Sequence, residues 1–199
     1  QLVAQVGDHV ESNYVIANRR YKVIKRFEAG NAYTSDPHEF TMASPSTAYV
    51  KGFRSVFMDL RKYGGLARTP VMDDVAQEVD IRTGQVLWEW HSVGNIRIGE
   101  TYKDIPKKIT RPFDFFHMNS IARDSDGNML ISARHTSALY KINRKTGKVM
   151  WRMGGKDSDF KLPKDFRYAY QHDFRHHPDG TYSIFENGAA DGELKPRAK

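Results

Sequence analysis

The chain has 199 residues, 39% of them hydrophobic and 28% charged, which places it among globular chains of one domain or two small ones. It contains no cysteine, so disulfides, thiolate metal sites and a cysteine nucleophile are excluded. The net charge of +7 suits anionic partners, sulfate or phosphate esters among them, although the lysines and arginines are scattered as on an ordinary solvated surface.

The opening residues, QLVAQVGDHV, lack the basic and apolar regions of a signal peptide and an initiator Met, so they read as a processed or trimmed end. No stretch of the chain approaches the ~18 apolar residues of a membrane span. Residues 21–27 alternate as an edge strand closed by a Gly30-Asn31 turn. Ser35-Asp36-Pro37 leads into a short strand over 38–42, Ser44-Pro45-Ser46 turns, and 47–53 returns. The pattern is irregular over 54–75, where residues 57–63 allow a helical turn. Residues 75–81 and 85–90 are strands on either side of Thr83-Gly84, with Trp88 and Trp90 on one face.

Here a repeat becomes visible. VDIRTGQVLW (79–88) and INRKTGKVMW (142–151) correspond position for position at an offset of 63 (151 − 88). Each reads as strand, Thr-Gly turn, and strand ending in Trp. Glycine supplies the positive φ of the turn, and the Trp gives the outgoing strand a large apolar anchor.

The histidines add a second register. His38, His117 and His172 each open a strand, and a turn follows at Pro45, Asp126-Gly127 and Asp179-Gly180. A second strand comes after each turn, near 48–50, 129–133 and 182–185. Four antiparallel strands per unit describe a blade of a β-propeller. The expected fold is therefore all-β, with blades over about 38–90, 117–152 and from 172 onward in one domain of residues 1–190, and a loose tail over 191–199. Residues before about 30 read as outer strands of a preceding blade. This falls short of the about 4–8 blades of a full ring. Only part of the ring is therefore expected within this chain, with a partner chain as one way to complete it, or else the propeller is a small or open variant.

Segments 92–116 and 156–170 fit no blade. They carry Tyr102, Phe113, Phe115 and Phe116, then Phe160, Phe166, Tyr168 and Tyr170, and each precedes a histidine that opens a blade. Such loops either overhang the channel mouth or cover the outside of the blades.

Of the eight histidines, His9, His91, His176 and His177 hold no repeat position and read as structural or surface groups. His135 alternates away from Arg134, so at most one of that pair faces a site. His38, His117 and His172 converge at the channel mouth if the blade reading holds, near Asn119, Arg134 and Gln171. Three chemistries fit: a metal held by three imidazoles, acid–base work by one of them, or a histidine nucleophile with oxyanion donors around it. Arg134 argues against a metal, since a fixed cation disfavours a dication but binds sulfate or phosphate well. The aromatics do not line a basic stripe, so no nucleic-acid partner is expected.

Residues 114–119 (DFFHMN), 124–137 (DSDGNMLISARHTS) and 140–155 (YKINRKTGKVMWRMGG), with Gln171-His172-Asp173, resemble the arylsulfotransferase family. His38-Glu39-Phe40, Gln77 to Asp80, Thr83-Gly84 and Trp88-Glu89-Trp90 resemble that family's preceding blade. The resemblance runs over about residues 21–187 and is loose before residue 70. It implies a β-propeller that moves a sulfuryl group from an aryl sulfate to a phenol through a sulfated histidine, without a nucleotide donor or other cofactor, in a secreted or periplasmic setting. It implies His172 as nucleophile, His117, Asn119 and Arg134 around the sulfuryl oxygens, and His38, more loosely, as a further site histidine. A tolerable phenolate leaving group would be protonated by His117, and loop aromatics, Phe116 and Tyr170 among them, would form the phenol slot. Two other readings remain: a non-catalytic propeller acting in binding or assembly, and a metal-dependent hydrolase built on His38, His117 and His172.

Overall fold

The computed structural model describes residues 13–163, 166 and 168–187 with their side chains, and the backbone of short strands at 5–6, 9–10 and 197–198. The chain is all-β, with two short 3-10 turns at Arg61–Tyr63 and Ile98–Glu100. Two small hairpins come first: β1 (Gln5–Val6) with β2 (His9–Val10), and β3 (Tyr14–Ala17) with β4 (Val23–Phe27). A four-stranded antiparallel sheet follows, β5 (Thr34–Met42), β6 (Thr47–Met58), β7 (Thr69–Asp80) and β8 (Val86–His91), its strands neighbouring in chain order. The second such sheet holds β9 (Met118–Arg123), β10 (Met129–Ala133), β11 (Ala138–Ile142) and β12 (Val149–Gly154). The third holds β13 (His172–His176), β14 (Tyr182–Glu186) and β15 (Arg197–Ala198). No sheet closes on itself among the described residues. Residues 191–196 and 199 of the expected tail lie outside the described residues, as does the side chain of His9.

The repeated hairpin is the same object in both four-stranded sheets. Val79 pairs with Val86 after a register shift, and Ile142 pairs with Val149 after a shift at the equivalent place. In the first turn Asp80 Oδ1 accepts the N–H groups of Arg82 and Thr83 at 2.8 and 2.9 Å. In the second, Asn143 Oδ1 accepts those of Lys145 and Thr146 at 3.0 and 2.9 Å. Short side chains that bond their own backbone ahead make such turns local decisions, and Gly84 and Gly147 take the positive φ (78° and 72°) that each requires.

The first two sheets pack face to face. Trp88 and Trp90 of β8 donate their indole N–H groups to the carbonyls of Arg144 and Gly147, at 3.0 and 2.9 Å, on the turn of the next sheet. Trp90 also packs on Phe116, which packs on Tyr140, within a core of Tyr49, Val71, Met118 and Ile131. A second core of Leu130, Leu139, Phe174 and Ile184 joins the second sheet to the third.

Strands β6 and β7 are longer than expected, twelve residues each and paired from Thr47–Asp80 to Met58–Thr69. Pro70 and the Asp73-Asp74 pair disguise the strand in the sequence. Past His91 strand β8 departs, and Phe113 takes its place against β7, with Met72 N–H bonded to its carbonyl at 2.9 Å. Segment 92–116 is thus partly core: Phe113, Phe115 and Phe116 are buried.

Replacing Trp90 with Ala should remove both its packing and its bond to Gly147. A loss of about 3–5 kcal/mol in urea unfolding is expected, the usual range for a buried Trp. Trp90→Phe should lose clearly less.

Candidate active site

The strand that opens each of the three larger sheets carries a β-bulge beside its histidine. In β5 the register jumps between Asp36 and Phe40, leaving residues 37–39 unpaired around His38. In β9 it shifts between Met118 and Ser120, next to His117. In β13 it shifts between His172 and Arg175. A bulge bends its strand and re-aims a side chain. Three copies of this device bring the rings together: His38 and His117 are 4.9 Å apart between centroids, edge to face, and His38 and His172 are 6.2 Å apart and stacked. His117, Tyr170 and Asp173 all hold left-handed backbone angles, with φ of 56°, 52° and 55°. Each costs about 1–3 kcal/mol for a non-glycine residue, and such strain clusters at working sites.

Every imidazole here has Nδ1 facing an acceptor. Asp36 Oδ1 lies 2.6 Å from His38 Nδ1, and Asp114 Oδ2 lies 2.5 Å from His117 Nδ1. His135 Nδ1 is 2.8 Å from the Asp114 carbonyl, and His172 Nδ1 is 2.9 Å from the Tyr170 carbonyl. A carbonyl or carboxylate oxygen can only accept, so at His38, His117 and His135 Nδ1 carries the hydrogen and Nε2 keeps its lone pair. His172 Nδ1 faces both the Tyr170 carbonyl and, at 3.0 Å, the Asn187 amide nitrogen, an acceptor and a donor. Asn187 donates to the same Tyr170 carbonyl at 2.7 Å, steadying the group behind His172. Burial pushes His117 down to about 3 despite the Asp114 carboxylate beside it. Burial also lowers His172, with the nearby His38 and Arg134 acting in the same direction. Both rings are neutral at neutral pH.

Beneath the rings lies a buried charged network. Lys51 Nζ sits 3.4 Å from Asp36 Oδ2 and 3.2 Å from Asp74 Oδ1, all three side chains fully buried. Burial alone would depress the Lys51 ammonium, but Asp74 and Asp36 outweigh it and hold it above its ordinary value. Asp74 Oδ2 in turn accepts the Met118 N–H at 2.8 Å, the residue after His117.

Several expected residues stand elsewhere. Phe116 is fully buried in the core between Trp90 and Tyr140, so it lines no slot. Asn119 is buried and donates an amide N–H to the Gln171 carbonyl at 2.7 Å, bracing the backbone before His172. His38 lies inside its strand rather than at its start. Alternation does not separate Arg134 from His135, because β10 ends at Ala133 and both residues occupy the following turn. Arg134 therefore stacks over Tyr170 with its Cζ 4.5 Å from the ring centroid, while His135 packs against His117 at 4.5 Å. The Asp114, His117 and His135 cluster offers three metal-ligating atoms within 4.8 Å of one another. Hydrogen bonds from both rings to Asp114 already account for that convergence. Phe160 and Phe166 line an apolar groove of about 290 Å³ with Trp151 and Phe174, a groove that none of the histidines lines.

The family profile described as Arylsulfotransferase (ASST) matches residues 10–199. The chain belongs to the arylsulfotransferase family. No curated protein matches it. A crystal structure of a protein of unknown function from Bacteroides caccae is similar at 11% identity, covering 99% of this chain and 71% of that one, with a TM-score of 0.38. No helix among the described residues is long and apolar enough to cross a membrane.

The neutral rings carry a stability signature. The folded His117 takes up its proton at about 3, against 6.5 for an ordinary imidazole, so below 6.5 the unfolded chain binds the extra proton. Stability should fall as pH drops through that window, by roughly 1.4 kcal/mol per pH unit from this ring. Urea midpoints across the window should show a shallower slope for His117→Gln than for the parent.

Proposed function

We propose that this arylsulfotransferase moves a sulfuryl group from an aryl sulfate to a phenolic acceptor through a sulfated His172. The observation that supports this most is the convergence of three imidazoles from three sheets beside Arg134, with His172 held neutral. In this reading Nδ1 donates to the Tyr170 carbonyl and the Nε2 lone pair attacks sulfur. The N–S bond forms as the S–O bond to the aryl group breaks, and the phenolate leaves with the electron pair. A second phenol then attacks the same sulfur, and the N–S bond breaks. Splitting the transfer in two lowers each barrier.

Arg134 supplies a fixed cation for the sulfuryl oxygens, with its guanidinium held by the Tyr170 face. His38 is the base: backed by the Asp36 carboxylate, its Nε2 lone pair takes the proton of the acceptor phenol as that phenol attacks sulfur and passes it to solvent. The first phenolate leaves with its electron pair and is protonated by solvent. His117, neutral at working pH, does not protonate the leaving group. It braces His38 edge-on, and Asn119 braces the chain before His172. Tyr170 offers an aromatic wall to the phenol.

The same reading treats residues 1–190 as part of a β-propeller. Strands β5, β9 and β13 run side by side, joined by Glu39, whose Oε2 accepts from Ile121 N–H at 2.8 Å and Arg175 Nη2 at 2.9 Å. That is how innermost strands of successive blades would lie. Further blades, from this polypeptide or a partner chain, would close the ring. The Asp114, His117 and His135 cluster is the observation favouring metal-dependent hydrolysis instead, and turnover that survives a chelator separates the two.

Intact mass after mixing with excess aryl sulfate and no acceptor should rise by one sulfuryl group, with phenol released, and not in His172→Ala. No gain in a folded parent would sink the enzyme reading and leave the binding-module one. Arg134→Met should lower kcat by about 100- to 1000-fold, as loss of an oxyanion donor does. Because His172 titrates below its ordinary value, the acid limb of the sulfation step should lie below pH 6.5.

A further inference from the structure

The geometry points to Lys51 as a positioning residue: we infer that this buried ammonium sets the tautomer of His38 and the seat of His117 through two carboxylates. It is the ion-pair partner of Asp36 and Asp74, at 3.4 and 3.2 Å, and its charge also acts on His117. The two carboxylates carry its action further. Asp36 holds Lys51 with Oδ2 and turns Oδ1 to both the backbone N–H of His38, at 2.9 Å, and its ring Nδ1, at 2.6 Å. Asp74 holds Lys51 with Oδ1 and turns Oδ2 to the N–H of Met118. One cation therefore anchors the carboxylate behind the His38 ring and the carboxylate that holds the backbone just after His117.

The chemistry depends on Asp36 staying ionised. As a carboxylate it can only accept, so the hydrogen sits on His38 Nδ1 and the lone pair on Nε2. Without Lys51, Asp36 and Asp74 would be two buried carboxylates lacking the cation between them, and like charges so placed favour protonation of one. A protonated Asp36 would donate to Nδ1 instead. The ring hydrogen would move to Nε2, and His38 could no longer take a proton from an acceptor phenol. Other charged groups facing this network are Asp114, which acts on Lys51, and Arg134, which acts on His172. Tyr14 reinforces the arrangement from β3, donating its hydroxyl to the carbonyl of Asp36 at 2.8 Å. Lys51 itself sits at the middle of β6, paired with Asp36 on one side and Ala76 on the other, so its stem is fixed by both neighbouring strands.

The test uses Lys51→Met, with heteronuclear NMR of the imidazole nitrogens in the absence of substrate. The parent should show His38 with hydrogen on Nδ1, and the variant a shift toward hydrogen on Nε2. Should Lys51→Met fail to fold, Lys51→Gln takes its place: a neutral amide of similar reach keeps the space filled and removes the charge, and loss of the Nδ1–H preference at His38 is again expected. An unchanged His38 tautomer in whichever variant folds would overturn the inference. The kinetic arm rests on the sulfo-histidine reading: kcat should fall by about 10- to 100-fold, the range seen when groups behind site histidines are removed, with KM little changed. A tautomer shift in the variant with no sulfuryl transfer by the parent would overturn that reading and leave this one standing.

Discussion

The buried carboxylate of Glu39 is the joint on which the site depends. It lies in the bulge of β5, one residue after His38, and is almost wholly excluded from solvent. Taking a charge out of water costs several kcal/mol unless its lone pairs are filled. Here they are: the Ile121 N–H, Arg175 Nη2 and the Thr41 hydroxyl all donate to it, at 2.8, 2.9 and 2.7 Å. Two of those donors belong to β9 and β13, the strands that carry or follow the other site histidines. Arg175 closes the loop by donating Nη1 to the Ile121 carbonyl at 2.9 Å. A shift of any one strand would leave this charge short of a partner, so the three strands hold a common register.

Neutral rings can crowd where charged ones cannot. Four imidazoles lie within a few ångströms of a neighbour in this cluster, and four positive charges there would repel strongly in a medium of low dielectric. Burial keeps His117 and His172 uncharged, while the carboxylate and carbonyl acceptors behind His38, His117 and His135 fix the hydrogen on Nδ1. Positive charge is concentrated instead in Arg134, which cannot lose its proton, and Lys51, which is locked between carboxylates. A sulfuryl group with its oxygens in that field meets one exposed-side cation and several lone pairs. Such an arrangement suits nucleophilic attack at sulfur better than it suits a bound dication.

The parts of this fold that could be read from the sequence were those decided locally. Thr-Gly and Asp-Gly turns, the Trp-ended strands and the offset of 63 residues between them (151 − 88) all returned as paired hairpins with matching register. The long strands β6 and β7 did not, because Pro70 and Asp73-Asp74 look like a loop until the partners that bury them are known. Arg134 and His135 were separated by strand alternation that stops one residue earlier, at Ala133. Phe116 was assigned to a slot because an aromatic beside a histidine reads the same in core and in site. Nothing in composition marks Asp36, Asp114, Lys51 and Asn187, since a polar side chain that the fold will pair reads like any other in the sequence. A faint signal existed for two of them: Asp36 lies two residues before His38 and Asp114 three before His117, spacings that let a carboxylate turn back on the ring.

Regular and irregular structure divide the labour within each sheet. The outer hairpins keep ideal turns and bury Trp88, Trp90 and Trp151 wholly or in part. The opening strands carry the bulges beside the histidines, with left-handed residues at or next to their starts in β9 and β13 and Asp36 and Glu39 buried in β5. Backbone strain and desolvated polar groups are both unfavourable, and they persist where surrounding structure over-determines them. Packing between the sheets supplies that constraint through Trp90 on Phe116 and Phe116 on Tyr140. Because the same contacts hold segment 92–116 against β7, the backbone leading to Asp114 and His117 is set by the core itself. The position of the His117 ring is thereby coupled to hydrophobic packing in the core, and the histidine cluster inherits its rigidity from the part of the sheet that holds none of it.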